Sequence, residues 1–219
     1  MRASSRQLSG LSRPAAPTRP PLPWSRAGAL TRCEAGASVT EVRICGNTTC
    51  RRQGSLQVLD AARELAPDGL TVRRTGCLGR CGAGPNLVLL PSELLVAHCS
   101  TASHLARLLE RQLPGDAGKE VAVLYRALEL RLRGNGALER GDAAAALVDY
   151  TRVLEEVNPP RHRHLVLANR SAARLKLGDS QGALDDALAA QACAPGDGTW
   201  TRGAEREADA RAALTGASS

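Results

Sequence analysis

The stretches CGNTTCRRQGS (residues 45–55) and TGCLGRCGAGPN (residues 75–86) hold four of the seven cysteines of this 219-residue chain. The cysteines are spaced as C-x4-C, then 26 residues, then C-x3-C. Four thiols in this arrangement are compatible with one metal centre, with two disulfides or with four packed core residues. Which thiols can meet depends on the secondary structure that carries each pair.

The sequence around the cysteines alternates strand and helix patterns. Apolar and polar side chains alternate in the strand segments, whereas apolar residues recur at three- and four-residue spacing in the helix segments. In chain order the segments are a strand at 39–46, a helix at 53–66, a strand at 70–74, a hairpin of strands at 86–91 and 93–99, and a helix at 103–113. Ser100 or Thr101 is the expected N-cap of the last helix. The order βαβ–ββα is a thioredoxin-like arrangement.

The two cysteine stretches are predicted to lie at one edge of the sheet, because the strands of a βαβ unit run parallel. Cys45 ends the first strand, Cys50 opens the next helix, and Cys77 and Cys81 lie in the loop after the second strand. We expect the four thiols to converge, and the helix N-terminus to lower the pKa of Cys50. Structural zinc usually takes C-x2-C pairs, and a reducing compartment disfavours disulfides, but zinc and incidental core thiols stay as alternatives.

The segments CGNTTCRRQGS and GCLGRCGAGPNLVLLP closely resemble the thioredoxin-like [2Fe-2S] ferredoxins, a family that includes the small flavin-side subunit of respiratory complex I. The resemblance covers residues 40–114. It implies that one [2Fe-2S] cluster is ligated by one pair of cysteines per iron, namely Cys45, Cys50, Cys77 and Cys81. Gly79, Gly82 and Gly84 are expected to adopt positive φ and to bring backbone N–H groups near the sulfides. Arg80 would partly offset the negative charge of the cluster.

The three other cysteines have plainer interpretations. Cys33 lies close to the end of the Arg-rich N-terminal segment described below. Cys99 follows His98 at a predicted strand end and is expected to pack in the core. Cys193 lies on a predicted helix and is also expected to be a small core residue.

The second half of the chain lacks strand patterns and contains an internal repeat. GDAAAAL (141–147) and GDSQGAL (178–184) recur at an offset of 37 residues, each between Ala- and Leu-rich helices. This pattern resembles two tetratricopeptide repeats and a half-repeat at 200–214 that would cap the stack. The predicted fold is therefore an α/β thioredoxin-like domain (39–114) followed by an all-α tetratricopeptide-repeat domain of helical hairpins (119–215).

Some tetratricopeptide-repeat domains bind the C-terminal carboxylates of a partner through Lys, Asn and Arg side chains in their groove. RLRGN, LANRSAA and WTRGAER resemble that pattern, with arginine in place of two lysines. The candidate partner-binding residues are Arg131, Asn135, Asn169, Arg202 and Arg206. The resemblance implies an acidic C-terminal peptide as the ligand, and the alternative is an ordinary solvated helix face.

The N-terminal segment has the composition of an organelle transit peptide. Residues 1–32 contain six arginines and no Asp or Glu, and their prolines would break the helix of a mitochondrial presequence. LTRCEA (30–35) resembles the cleavage region of chloroplast transit peptides. We therefore expect residues 1–38 to be a disordered transit peptide and the mature protein to lie in the chloroplast stroma, with the mitochondrion as the alternative.

Composition disfavours several classes of function. Six of the positive charges lie in residues 1–32, and the rest of the chain has 23 basic and 22 acidic residues, so nucleic-acid binding is not expected. No segment has the ~18 apolar residues of a membrane span. Without a nucleophile–histidine pair or a phosphate loop, the chain is not expected to be an enzyme.

The expected role is one-electron transfer or redox sensing with an unidentified redox partner, while the repeats bind a protein partner. The alternative is a co-chaperone or assembly scaffold in which the cluster is structural or lost.

Overall fold

The computed structural model describes residues 38–159, 161–196 and 200–216. The predicted transit peptide, its cleavage region and Cys33 lie outside these described residues.

A four-stranded mixed sheet organises the first part of the described chain. Its strands are β1 (Glu41–Cys45), β2 (Thr71–Thr75), β3 (Leu87–Leu90) and β4 (Leu94–Val96), in the spatial order β2-β1-β3-β4. Strands β1 and β2 are parallel, with Cys45 opposite Thr75, and β3 runs antiparallel to both β1 and β4. The carboxyl ends of β1 and β2 therefore lie at the same edge, which is where the two cysteine stretches begin.

Three helices belong to this part: α1 (Thr48–Arg52), α2 (Ser55–Leu65) and α3 (Ala102–Gln112). Helix α2 buries Val58 and Leu65 against the sheet, and the Thr101 hydroxyl accepts a hydrogen bond from the His104 N–H at 3.1 Å, so Thr101 is the N-cap of α3. Helix α1 was not expected. It is separated from α2 by Gly54, whose φ of 94° interrupts the helical backbone.

The second part is entirely helical. Its helices are α4 (Asp116–Glu139), α5 (Ala143–Arg152), α6 (Arg163–Lys176), α7 (Ser180–Cys193) and α8 (Arg202–Gly216), and a five-residue π-helix (Val153–Val157) continues α5. The described chain thus confirms the coarse prediction of a small α/β part followed by an all-α part.

The two Gly-Asp pairs form equivalent turns between helices. Gly141 and Gly178 have φ of 87° and 81°, a conformation that glycine adopts without steric cost. The next residue then caps the following helix: Asp142 accepts from the Ala145 N–H and Asp179 from the Gly182 N–H, each at 2.9 Å. The sequence repeat at an offset of 37 residues is therefore a repeat of helix-capping turns.

The same offset relates two ion pairs between neighbouring helices. Arg133 binds both carboxylate oxygens of Asp149, and Arg170 binds both oxygens of Asp186. The second pair is better shielded, because the Arg170 side chain is 14% exposed and the Arg133 side chain 54%. Each pair joins the first helix of a hairpin to the second, so the repeat extends to tertiary contacts.

Helix α4 belongs to the cores of both parts. Its first half contributes Val121, Leu124 and Leu128 to the core under the sheet, whereas Leu130 and Ala137 pack with the helices that follow. All described residues from 38 onward accordingly belong to one compact unit.

Two cysteines outside the C-x4-C and C-x3-C pairs test the core predictions. Cys99 is fully buried in the core under the sheet, as predicted. The prediction for Cys193 is wrong, because this last residue of α7 is exposed. Helix α7 carries alanine on several faces, so its sequence does not define which face is buried. None of the described helices is both long and apolar enough to cross a membrane.

Candidate metal centre

The sheet edge brings together the thiols of both cysteine stretches. The Sγ atoms of Cys77 and Cys81 are 3.4 Å apart, and the thiol of Cys45 interacts with those of Cys50 and Cys77. Cys45 comes from the end of β1, Cys50 from α1, and the other two from the loop after β2. None of the described cysteines forms a disulfide. The parallel pairing of β1 and β2 thus places all four thiols in one neighbourhood.

The four thiols differ in their exposure to solvent. Cys45 and Cys50 are buried, with 1% and 2% of their surface exposed, whereas Cys77 and Cys81 are exposed. A group held by all four would therefore have a protein-covered side and a side that opens to solvent.

The loop that carries Cys77 and Cys81 depends on glycine at three positions. Gly79 and Gly82 have φ of 80° and 99°, as predicted, and the Gly79 N–H points at the Cys77 Sγ at 3.4 Å. The prediction of positive φ at Gly84 is wrong. Gly84 is needed for space instead, because a Cβ there would lie 2.7 Å from the Cys50 Sγ. The backbone of this loop consequently packs directly on the thiol of the other stretch.

Asn86 ties the two stretches together and was not recognised in the sequence. Its side chain is almost fully buried, and its amide donates to the Cys50 Sγ at 3.5 Å and to the Arg80 carbonyl at 2.8 Å. Its Oδ1 is buried without a hydrogen-bond partner among the described residues. The sequence feature that could have identified Asn86 is an amide side chain immediately before a wholly apolar strand. An amide buried beside such a strand needs a hydrogen-bond partner inside the protein.

Local contacts set the acidity of the thiols in opposite directions. The Gly79 N–H and the neighbouring Cys81 thiol lower the pKa of Cys77, while hydrogen bonding with Cys77 raises the pKa of Cys81. The prediction of a lowered pKa at Cys50 is wrong, because burial raises it. Cys50 lies inside the short helix α1, whose N-cap is Asn47, and not at the start of α2. Burial disfavours the thiolate and outweighs the hydrogen bond from Asn86.

The donor set consists of four sulfur atoms, which is the chemistry of both structural zinc and a [2Fe-2S] cluster. Within the described ranges, no three or more His, Cys, Asp or Glu side chains are grouped closely enough to hold a single metal ion. A two-iron cluster takes its four thiolates as two pairs, one on each iron. The close approach of Cys77 and Cys81, the N–H at Cys77 and the close packing of Gly84 on Cys50 are compatible with a group held in this way.

Two of the candidate partner-binding residues meet in the helical part. The Asn135 Oδ1 accepts hydrogen bonds from the Asn169 Nδ2 and the Tyr150 hydroxyl, each at 2.8 Å. The structure therefore places the amides of α4 and α6 side by side, with each already bonded to the other.

The arginines of the same set have other contacts. Arg131 donates to both carboxylate oxygens of Glu64 on α2, at 2.8 and 2.5 Å, and Arg206 pairs with Asp209 at 3.2 Å. Arg202 is exposed at the start of α8. An incoming carboxylate would have to compete with Glu64 for Arg131, so the carboxylate groove stays a prediction.

No family model, curated protein or solved structure matches this chain. The family resemblances stated above consequently stay predictions.

Proposed function

We propose that residues 39–114 form a thioredoxin-like domain that binds one [2Fe-2S] cluster through Cys45, Cys50, Cys77 and Cys81, and that the protein transfers or senses single electrons. The observation that supports this proposal most strongly is the meeting of the four thiols at one sheet edge, although the two stretches are far apart in sequence. When bound, the cluster would supply one-electron chemistry.

The residues around the thiols would control the properties of the site. N–H groups that point at ligand sulfur stabilise its negative charge and raise the reduction potential, and Gly79 and Asn86 are placed to do so. Burial of Cys45 and Cys50 excludes water from one side of the site, which would disfavour the negative charge that a bound cluster gains on reduction. The exposed Cys77 and Cys81 leave a short route for an electron to a partner at the surface.

We further propose that the helical part is a tetratricopeptide-repeat domain that binds a protein partner and that the protein acts in the chloroplast stroma. The repeated capping turns and the repeated ion pairs support the first statement. The acid-free composition of residues 1–32 supports the second. A fluorescent fusion of residues 1–40 is expected to enter chloroplasts, and its retention in the cytosol would contradict the assignment.

The cluster is tested by anaerobic purification of the full chain and analysis of iron, acid-labile sulfide and zinc. We expect about two iron atoms and about two sulfides per chain, with the visible absorption of an iron–sulfur protein. Replacing any one of the four cysteines by Ala should abolish or alter the centre. Cys99→Ala is the matched control, because the Cys99 thiol is buried in the hydrophobic core and forms no hydrogen bond with the described residues, so its loss should leave the iron content unchanged.

Two results would count against this function. Stoichiometric zinc without sulfide would replace the cluster by a structural zinc site. A cluster without a reversible potential would favour a scaffold in which the metal is structural.

A further inference from the structure

The part of the chain around the four thiols has a charge distribution that differs from the rest. Residues 42–59 and 69–92 contain no Asp, Glu or Lys. The arginines of these two segments are Arg43, Arg51, Arg52, Arg73, Arg74 and Arg80. Residues 33–219 as a whole carry 23 basic and 22 acidic side chains, so positive charge is concentrated in these two segments.

The six arginines divide into two groups. Arg43 and Arg73 lie along the strands and face Glu41, at 2.9 and 3.8 Å. The other four lie toward the thiol edge, and their guanidinium groups form no hydrogen bond or ion pair with the residues that the structure describes; they are Arg51, Arg52, Arg74 and Arg80. All four side chains are exposed.

An open depression of about 500 Å³ lies beside the exposed Cys77. Arg51 and Arg74 line it, together with the backbone of Gly46 and Gly76. The residues that line the depression include no acidic side chain and no large apolar side chain. The surface is therefore suited to a hydrated, negatively charged ligand rather than to an apolar one.

Like charges that cluster on a surface repel one another and do not stabilise the fold. Arginine presents a planar fork of donors that matches a carboxylate, which makes unpaired arginines effective in binding acidic side chains. A basic surface also speeds the encounter with an acidic partner. We propose that the depression and the four arginines form the docking surface for the acidic face of a protein redox partner, which would reach the thiols from the Cys77 side. This inference rests on the proposed function.

A nucleic-acid partner fits these observations less well. Proteins that bind single strands combine positive charge with aromatic side chains on which bases stack. Residues 42–59 and 69–92 contain no Phe, Trp or Tyr. The available contacts are guanidinium groups alone, so the surface offers charge but no platform on which bases could stack.

The first test measures binding of a fluorescein-labelled oligoglutamate peptide to the full chain at low ionic strength, by fluorescence anisotropy. The test variant is Arg51→Glu/Arg74→Glu. The control, Arg111→Glu/Arg140→Glu, changes the net charge equally at two exposed arginines. Arg111 lies nine residues after the start of α3, about 14 Å along the helix, and Arg140 follows the end of α4. The arginines of residues 1–32 are present in every variant, so their contribution cancels.

We expect the test variant to bind the peptide about tenfold more weakly, because it reverses two charges of the proposed docking surface together. The control should change the affinity by less than about twofold, because single exposed charge pairs contribute little each. Equal weakening in both variants would show that only net charge matters and would overturn the docking surface. An unchanged affinity in the test variant would overturn the docking surface as well. If duplex DNA binds more tightly than the peptide and loses affinity in the test variant, the partner is a nucleic acid and not a protein.

The second test uses electron exchange. After reduction with dithionite, the holoprotein passes one electron to hexacyanoferrate(III), which becomes hexacyanoferrate(II), with no bond formed and no proton moved. The rate should fall with added salt and in the test variant, whereas the rate with the cation hexaamminecobalt(III) should rise in both cases. Absence of labile sulfide would show that the proposed function has failed, while the peptide measurement still decides the docking surface.

Discussion

Replacing Gly84 by Ala places a methyl group between the two cysteine stretches. The added Cβ would lie 2.7 Å from the Cys50 Sγ and 2.5 Å from the Gln53 Oε1. The Gln53 side chain is exposed and can move away. The Cys50 side chain is 2% exposed, so its Sγ has little room to move and α1 or the loop must shift.

The cost follows from the packing of this contact. Inserting one methyl group into a well-packed interior destabilises a protein by about 1–3 kcal/mol. Urea unfolding of small proteins has a slope of about 1–3 kcal/mol per molar, so the midpoint for Gly84→Ala is expected to fall by about 1 M. A shift of Cys50 away from the other thiols should also lower the iron and sulfide content of the purified protein.

Gly76→Ala is a matched control in the same region. No atom lies within 4 Å of the position that the added methyl group would take at Gly76, and Gly76 does not have positive φ, so the substitution adds the same atom without a contact. Both substitutions reduce the freedom of the unfolded chain, so most of that contribution cancels when the two are compared. Far-UV circular dichroism in urea gives the midpoints. If Gly84→Ala and Gly76→Ala agree within about 0.5 kcal/mol, the close packing of Gly84 on Cys50 is refuted.

Three further predictions concern the ion pairs between helices, the thiols outside the candidate site and the helical groove. Arg170→Ala should lower the free energy of unfolding by about 1–3 kcal/mol, because the ion pair of Arg170 with Asp186 is well shielded from solvent. Arg133→Ala should lower it by less than about 1 kcal/mol, because the Arg133 side chain is exposed. Equal losses in urea unfolding would contradict this. Burial raises the pKa of Cys99 to about 11, so iodoacetamide at pH 8 should modify the exposed Cys193 and leave Cys99 intact by mass spectrometry. The raised pKa favours the protonated thiol in the folded state, so its stabilising contribution is present below about pH 9 and is lost as pH rises toward 11. Arg206→Ala should weaken binding of an acidic peptide with a free C-terminus about tenfold, whereas equal binding of free and amidated peptides would show an ordinary solvated face.

The sequence by itself determined the order of the strands and of the longer helices of the α/β part, and the position of the cysteine pairs. Alternation over 39–46 and 70–74 predicted two parallel strands, and parallel strands place their carboxyl ends at one edge, so the meeting of the two stretches could be foreseen. The Gly-Asp turns could be foreseen as well, because a cap and its positive-φ glycine are interactions between residues close in sequence. Short-range periodicity and capping are readable without knowledge of the packing.

Only the tertiary structure decided which residues serve the candidate site from a distance. Gly84 and Asn86 contact Cys50 from more than thirty positions away, and the contact of Arg131 with Glu64 spans 67 positions. The burial of Cys50, which raises its pKa where a helix terminus was expected to lower it, has the same origin. Helical or strand periodicity reports which face of an element is apolar. It does not report which loop or helix packs on that face, because that choice depends on how the whole chain fills space.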